Sequence, residues 1–184
     1  MQKKMFLTSI LITLFSFQIF AQESPYVRYP ALNSDGTQIA FSFQGDIWTV
    51  ATSGGNANRL TIHEGYDGYP FWSNDNKQIA FSSNRNGNYD IFVMPSNGGT
   101  PKRLTFHSAN DVITDYTKEN EILFSTSRLF RQVEWDSEIA SVNVDGGTPQ
   151  RALDAVGNMA VKSPNGKLAK YEYDNFFNFI LYHM

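Results

Sequence analysis

The chain has 184 residues, 41% hydrophobic and 15% aromatic, with no cysteine and a formal net charge of −3. The lack of cysteine excludes disulfides, thiolate metal centres and a thiol nucleophile. The mildly acidic balance gives no electrostatic reason to expect nucleic acid or an anionic membrane as partner.

At the N-terminus, Lys3 and Lys4 precede an apolar run over 5–20, and Ala21 puts a small residue before Gln22. That is the build of a secretory signal peptide over residues 1–21. Thr8, Ser9, Thr13, Ser16 and Gln18 interrupt the run, and it is shorter than the ~20 residues of a spanning helix. Cleavage after Ala21 removes two lysines and no acid, takes the charge to −5 and leaves no stable membrane span. The expected location is secreted or periplasmic.

From residue 22 one phrase recurs. Tyr29-Pro30, Ser34-Asp35-Gly36, Ile39-Ala40-Phe41, Asp46-Ile47-Trp48, Gly54-Gly55 and Arg59-Leu60-Thr61 form the first copy. Tyr69-Pro70, Asn74-Asp75-Asn76, Ile79-Ala80-Phe81, Asp90-Ile91-Phe92, Gly98-Gly99 and Arg103-Leu104-Thr105 form the second. A looser third copy keeps Ile122-Leu123-Phe124, Glu138-Ile139-Ala140, Gly146-Gly147 and Arg151-Ala152-Leu153. A fourth begins at Ser163-Pro164-Asn165-Gly166 and stops after Tyr171. Within a copy the period is two, and β-branched and aromatic runs are bounded by Asn, Asp, Gly and Ser, as in short strands. Each copy divides into strands A to D, with A following the aromatic-Pro pair, B and C carrying the Ile phrases, and D carrying Arg-Leu-Thr. The A–B turns end in Gly or Asn, which tolerate the positive φ of a tight hairpin, and Gly-Gly does the same between C and D.

Four short antiparallel strands every 40–46 residues predict an all-β fold, a β-propeller fragment with three complete blades plus part of a fourth. The blades are expected at about 26–61, 66–105, 108–153 and 157–175, so the partial propeller spans 22–175 and a divergent apolar tail occupies 176–184. The fourth copy shows no C or D strand, so the chain reads as truncated and its arc of blades as open. The B–C connection lengthens from copy to copy. It shares one face with the D–A linkers, which makes that face the place to look for function.

The repeats resemble the WD40-like repeats of the TolB propeller superfamily. Tyr69-Pro70-Phe71-Trp72-Ser73, Ile79-Ala80-Phe81-Ser82-Ser83-Asn84-Arg85 and Gly98-Gly99-Thr100-Pro101-Lys102-Arg103-Leu104-Thr105 carry that resemblance. Arg103-Leu104-Thr105-Phe106-His107-Ser108-Ala109-Asn110-Asp111, with Gly45-Asp46-Ile47-Trp48, is similar to the N-terminal propeller of tricorn-like S41 serine peptidases. In that family a second propeller, a PDZ domain and a catalytic domain follow. The resemblance therefore implies a substrate-admitting or peptide-binding segment of a proteolytic enzyme, with no catalytic residue and no activity in this chain. The alternatives are a TolB-like periplasmic protein-binding module without an enzyme domain, and the propeller of another exported hydrolase. The downstream domains of a parent chain and a peptide or protein ligand are the expected partners.

Nothing in the sequence composes an active site, and no cofactor or metal is expected. His63 and His107 occupy equivalent linker positions, either as a binding pair for a carboxylate or metal or as residues that bond locally. Asp46, Asp90 and Glu138 recur too far apart for a calcium loop and are read as anchoring the B–C turn or pairing with a neighbouring blade. Arg59, Arg103 and Arg151 are read as inter-blade partners. Arg85, Arg128, Arg131 and Trp135 complete the candidate binding set on the loop face, Arg128, Arg131 and Trp135 within an insertion that either binds a partner or covers its own blade.

Overall fold

The computed structural model describes residues 26–128, 137–156, 159–163, 165–171 and 182–183. Every regular element there is a strand. Blade 1 holds β1 (Arg28–Leu32), β2 (Gln38–Phe43), β3 (Asp46–Ala51) and β4 (Asn58–Arg59). Blade 2 holds β5 (Asp67–Trp72), β6 (Gln78–Ser83), β7 (Asp90–Pro95) and β8 (Lys102–Arg103). Blade 3 holds β9 (Asp111–Tyr116), β10 (Glu121–Thr126), β11 (Glu138–Asn143) and β12 (Gln150–Val156). Among the described residues the fourth unit has three strands: β13 (Met159–Lys162), β14 (Leu168–Tyr171) and β15 (Tyr182–His183). Each sheet is an antiparallel meander in chain order. The tail thus supplies a short third strand to a unit in which no C strand is legible in the sequence.

The turns form as their residues dictate. Asn76 and Asn120 take φ of 60° and 58° at the ends of their hairpins, where glycine stands in the first and fourth copies. The aromatic-Pro pairs differ from expectation, because they lie inside the first strand of the blade and do not precede it. Tyr29 and Tyr69 have φ of 54° and 55° and sit in a bulge of β1 and β5. A proline has no N–H to give to a ladder, and a bulge is where a sheet tolerates that loss.

Alternate residues of each strand face the two neighbouring blades. Ala40, Ile47, Trp72, Ile79, Phe81, Phe92 and Met94 form one core between blades 1 and 2. A second core between blades 2 and 3 is built from Ala80, Ile91, Val93, Leu104, Ile113, Ile122 and Phe124, among others. Of the Ile and Phe residues of the repeat phrases, Phe41, Ile79, Phe81, Ile91, Ile122 and Phe124 are buried, whereas Ile39 is half-buried. Ile39 shares an open sheet face with Leu32, which is 61% exposed where its counterpart Trp72 is buried against blade 1.

Each first strand is fastened to the blade before it. Asp67 N–H donates to Gly45 O (2.8 Å) and Asp111 N–H to Tyr89 O (2.7 Å). Trp72 Nε1 donates to Ala31 O at 3.0 Å. Between blade 3 and the fourth unit, Lys162 N–H donates to Asp115 Oδ2 at 2.8 Å.

Burial pushes the Asp115 carboxyl above its ordinary value, and the charge of Glu119 adds to the shift. An acid with a raised folded pKa binds its proton more readily in the native state. Its stability contribution is therefore full below the unfolded value near 3.8 and falls as pH rises through the folded one. Asp115→Asn keeps an acceptor for Lys162 N–H and removes the charge. The variant should match the wild type in denaturant melts near pH 3.5 and exceed it at pH 7. A variant less stable at pH 7 would show that the ionised form is favoured in the folded chain.

Candidate functional site

The Asp-Ile and Arg-Leu-Thr phrases are two halves of one device inside each blade. Arg59 reaches Asp46 at 2.5 Å and Arg103 reaches Asp90 at 2.6 Å. Thr61 and Thr105 accept the N–H of Ile47 and Ile91 through Oγ1, at 2.9 and 3.0 Å. The same hydroxyls donate to Asp46 and Asp90. These arginines therefore pair within their own blade and not between blades. A D strand of two residues has little ladder, and the side chains hold it against strand C. The third copy carries Glu138 and Arg151 in the same places, and neither is without a partner.

A second set of ion pairs takes up two of the candidate binding arginines. Arg85 bonds both oxygens of Asp67, at 2.9 and 2.7 Å, and Arg128 bonds Asp111. Both carboxylates are fully buried and begin the first strand of a blade. Arg85 lies 4.7 Å from the Phe92 ring centroid and Arg128 5.3 Å from that of Phe124. Their guanidinium groups clamp the B–C loop onto the inner strand, with 13% and 12% of their side chains exposed. Arg131 and Trp135 lie outside the described residues.

The histidines hold their linkers. His63 Nδ1 accepts the N–H of Gly65 at 2.9 Å, and His107 Nδ1 accepts that of Ala109 at 3.0 Å. Beside them the linkers present Ile62 and Phe106, 78% and 71% exposed at equivalent positions. His63 also lines a cleft of about 770 Å³ on the loop face, with Tyr26, Arg28, Gln44, Glu64 and Tyr66. A groove of about 700 Å³ runs along the first strands of all four units, past Tyr29, Pro30, Tyr69, Phe71, Asp115 and Met159. Among the described residues no group of three His, Cys, Asp or Glu side chains is placed to hold a metal.

Tyrosines line both cavities, Tyr26 and Tyr66 the cleft and Tyr29 and Tyr69 the groove, and none of them is among the candidate residues read from the sequence. Tyr29 and Tyr69 stack with ring centroids 3.9 Å apart, and their hydroxyls share a hydrogen bond at 3.1 Å. That bond, with burial second, raises the Tyr69 phenol to about 12. The signal was present, since Tyr26 and Tyr29 repeat as Tyr66 and Tyr69 forty residues on.

Fold and site together define a β-propeller module whose inner strands form a concave, tyrosine-rich wall. The chain belongs to the tricorn protease N-terminal β-propeller domain family, whose model matches residues 24–178. Among solved structures it is similar to TolB from Acinetobacter baumannii, at 22% identity and a TM-score of 0.67, over 87% of this chain and 41% of that one. A putative TolB from Agrobacterium tumefaciens matches at 22% identity and a TM-score of 0.61, over 76% and 52%. The tricorn protease matches at 15% identity and a TM-score of 0.68, over 79% and 15%. At these identities the likeness is one of fold. The chain spans about half or less of the length of these structures. A comparison with curated proteins gave no match.

Proposed function

We propose that this chain is the peptide-holding propeller segment of an exported tricorn-like serine peptidase, supplying binding surface and no bond-breaking chemistry of its own. Membership of the tricorn N-terminal propeller family over residues 24–178 is the observation that carries this reading. The groove along the inner strands supports it, because it is long, partly apolar and flanked by phenol donors. Export rests on Lys3, Lys4, the apolar run and Ala21, which lie outside the described residues. A TolB-like protein-binding module without a peptidase is the second reading, favoured by the two TolB structures of the same fold. In it the exposed Ile62 and Phe106 on the loop face would meet a folded partner.

Incubating the mature chain with a mixed pool of short peptides, then isolating it by gel filtration, tests the first reading. Mass spectrometry should find peptides of the pool retained and none newly cleaved. No retention, or cleavage by the chain alone, would overturn it.

A further inference from the structure

We propose that the tyrosine cluster at the loop-face end of the inner strands is a docking site for a proline-rich segment of an extended peptide. The inference rests on the peptide-holding reading above and specifies what that surface recognises.

The cluster is built by the repeat and fixed by packing. Tyr26 and Tyr66 stand at one blade position and Tyr29 and Tyr69 at another, while Tyr89 comes from the B–C loop of blade 2. A Cβ added at Gly68 would lie 2.8 Å from Tyr66 Cε1 and 3.7 Å from Tyr29 Cδ2, so the bare glycine lets both rings gather over β5. Blade 3 has Asn110, Val112 and Ile113 where blade 2 has Tyr66, Gly68 and Tyr69, so the cluster ends there. Asn84 Oδ1 accepts the Tyr66 N–H at 2.6 Å and fixes that residue's backbone. The left-handed backbone at Tyr29 and Tyr69, each followed by proline, sets the direction of the stacked pair. Tyr29, Tyr66, Tyr69 and Tyr89 are all partly exposed. The rings are therefore ordered before any ligand arrives, which lowers the entropy cost of binding.

Hydrogen-bond chemistry selects the ligand. The Tyr29–Tyr69 hydrogen bond (3.1 Å) uses one of that pair's two hydroxyl protons and leaves the other to give. Ser42 spends its own proton on Asp67 O (2.8 Å), so the Tyr66 hydroxyl, 3.5 Å from Ser42 Oγ, can turn its proton to a ligand. The Tyr29 bond raises the Tyr69 phenol and burial raises that of Tyr89, so these two stay neutral at physiological pH. The surface thus offers flat rings and O–H donors. A polyproline II segment presents the complement: apolar pyrrolidine faces and outward carbonyls, with no N–H seeking an acceptor. Aromatic grooves with hydroxyl donors gain affinity from such a ligand because it is already extended when free.

Titrating the mature chain with acetyl-hexaproline-amide, against a capped Gly-Ser hexapeptide of equal length, tests this by calorimetry and by tyrosine ring resonances. Hexaproline should bind at least about tenfold more tightly than the control. Tyr69→Phe and Tyr66→Phe keep the rings and lose the donated protons, and each should weaken binding about fivefold. Thr52→Val, whose hydroxyl bonds Gly36 O and Thr37 O at the opposite end of blade 1, should leave affinity unchanged. Equal binding of the two peptides, or unchanged affinity in both phenylalanine variants, would overturn the proposal. If hexaproline fails while the mixed pool is retained, this inference falls and the peptide-holding reading stands. If neither binds, both fall.

Discussion

Phe81→Ala is expected to destabilise the mature chain by about 3–5 kcal/mol, the usual cost of emptying a fully enclosed aromatic site. Phe81 has no exposed surface, stacks on Phe92 at 5.8 Å and lies under the Arg85 guanidinium at 5.6 Å. It also belongs to the core shared by blades 1 and 2, so the cavity would loosen an interface as well as a sheet. Leu32→Ala, on the open face of β1, should change stability by less than about 0.5 kcal/mol. Urea melts of the two variants give the comparison. Similar losses in both would mean that the Phe81 site collapses without cost, or that the outer face of β1 is covered in solution.

Asp67→Ala should be nearly as severe, at about 3–5 kcal/mol, because it leaves the Arg85 charge enclosed without its partner. Arg85 cannot move easily to water, since its Nε also donates to Ser83 and its plane lies over Phe92. Asp46→Ala removes an equally buried carboxylate, but Arg59 is 41% exposed and can be solvated. Its expected cost is therefore about 1–2 kcal/mol. Guanidinium melts should rank the variants in that order. The reverse order would show that the strand-D pairs, and not the loop clamps, set stability.

The two sets of pairs also show what the sequence makes legible. Blade number, strand order and turn positions follow from residues repeated at fixed spacing, because period-two runs and φ-positive turn residues act locally. The Asp46–Arg59 and Asp90–Arg103 separations are both 13 residues, a constancy that marks a pair within a blade. Recurrence around a ring suggested neighbours in adjacent blades, and that inference neglected how close strands C and D lie. The Asp67–Arg85 and Asp111–Arg128 pairs left a fainter trace: blade 1 lacks both members, with Val27 in place of the acid and only Gln44 and Gly45 between β2 and β3.

The tyrosine cluster was harder to read. Its spacing is visible, but the stacking depends on a bulge, on left-handed backbone at Tyr29 and Tyr69, and on the missing Cβ of Gly68. None of these is a property of the tyrosines themselves. The candidate arginines show the opposite case. Arg85 and Arg128 sit on the loop face as the meander requires, yet their charge is spent on buried carboxylates of the first strands. Loop position alone could not separate a ligand-facing cation from a clamp.

Hydrogen exchange of the mature chain, with and without saturating peptide, tests most directly whether the inner wall holds ligand. Peptide lying along the groove should slow exchange in β1 and β5 and in the linker around Tyr66, and leave β4 and β8 at the outer edge unchanged. Slowing confined to the outer strands, or none at saturation, would contradict a binding role for the inner wall.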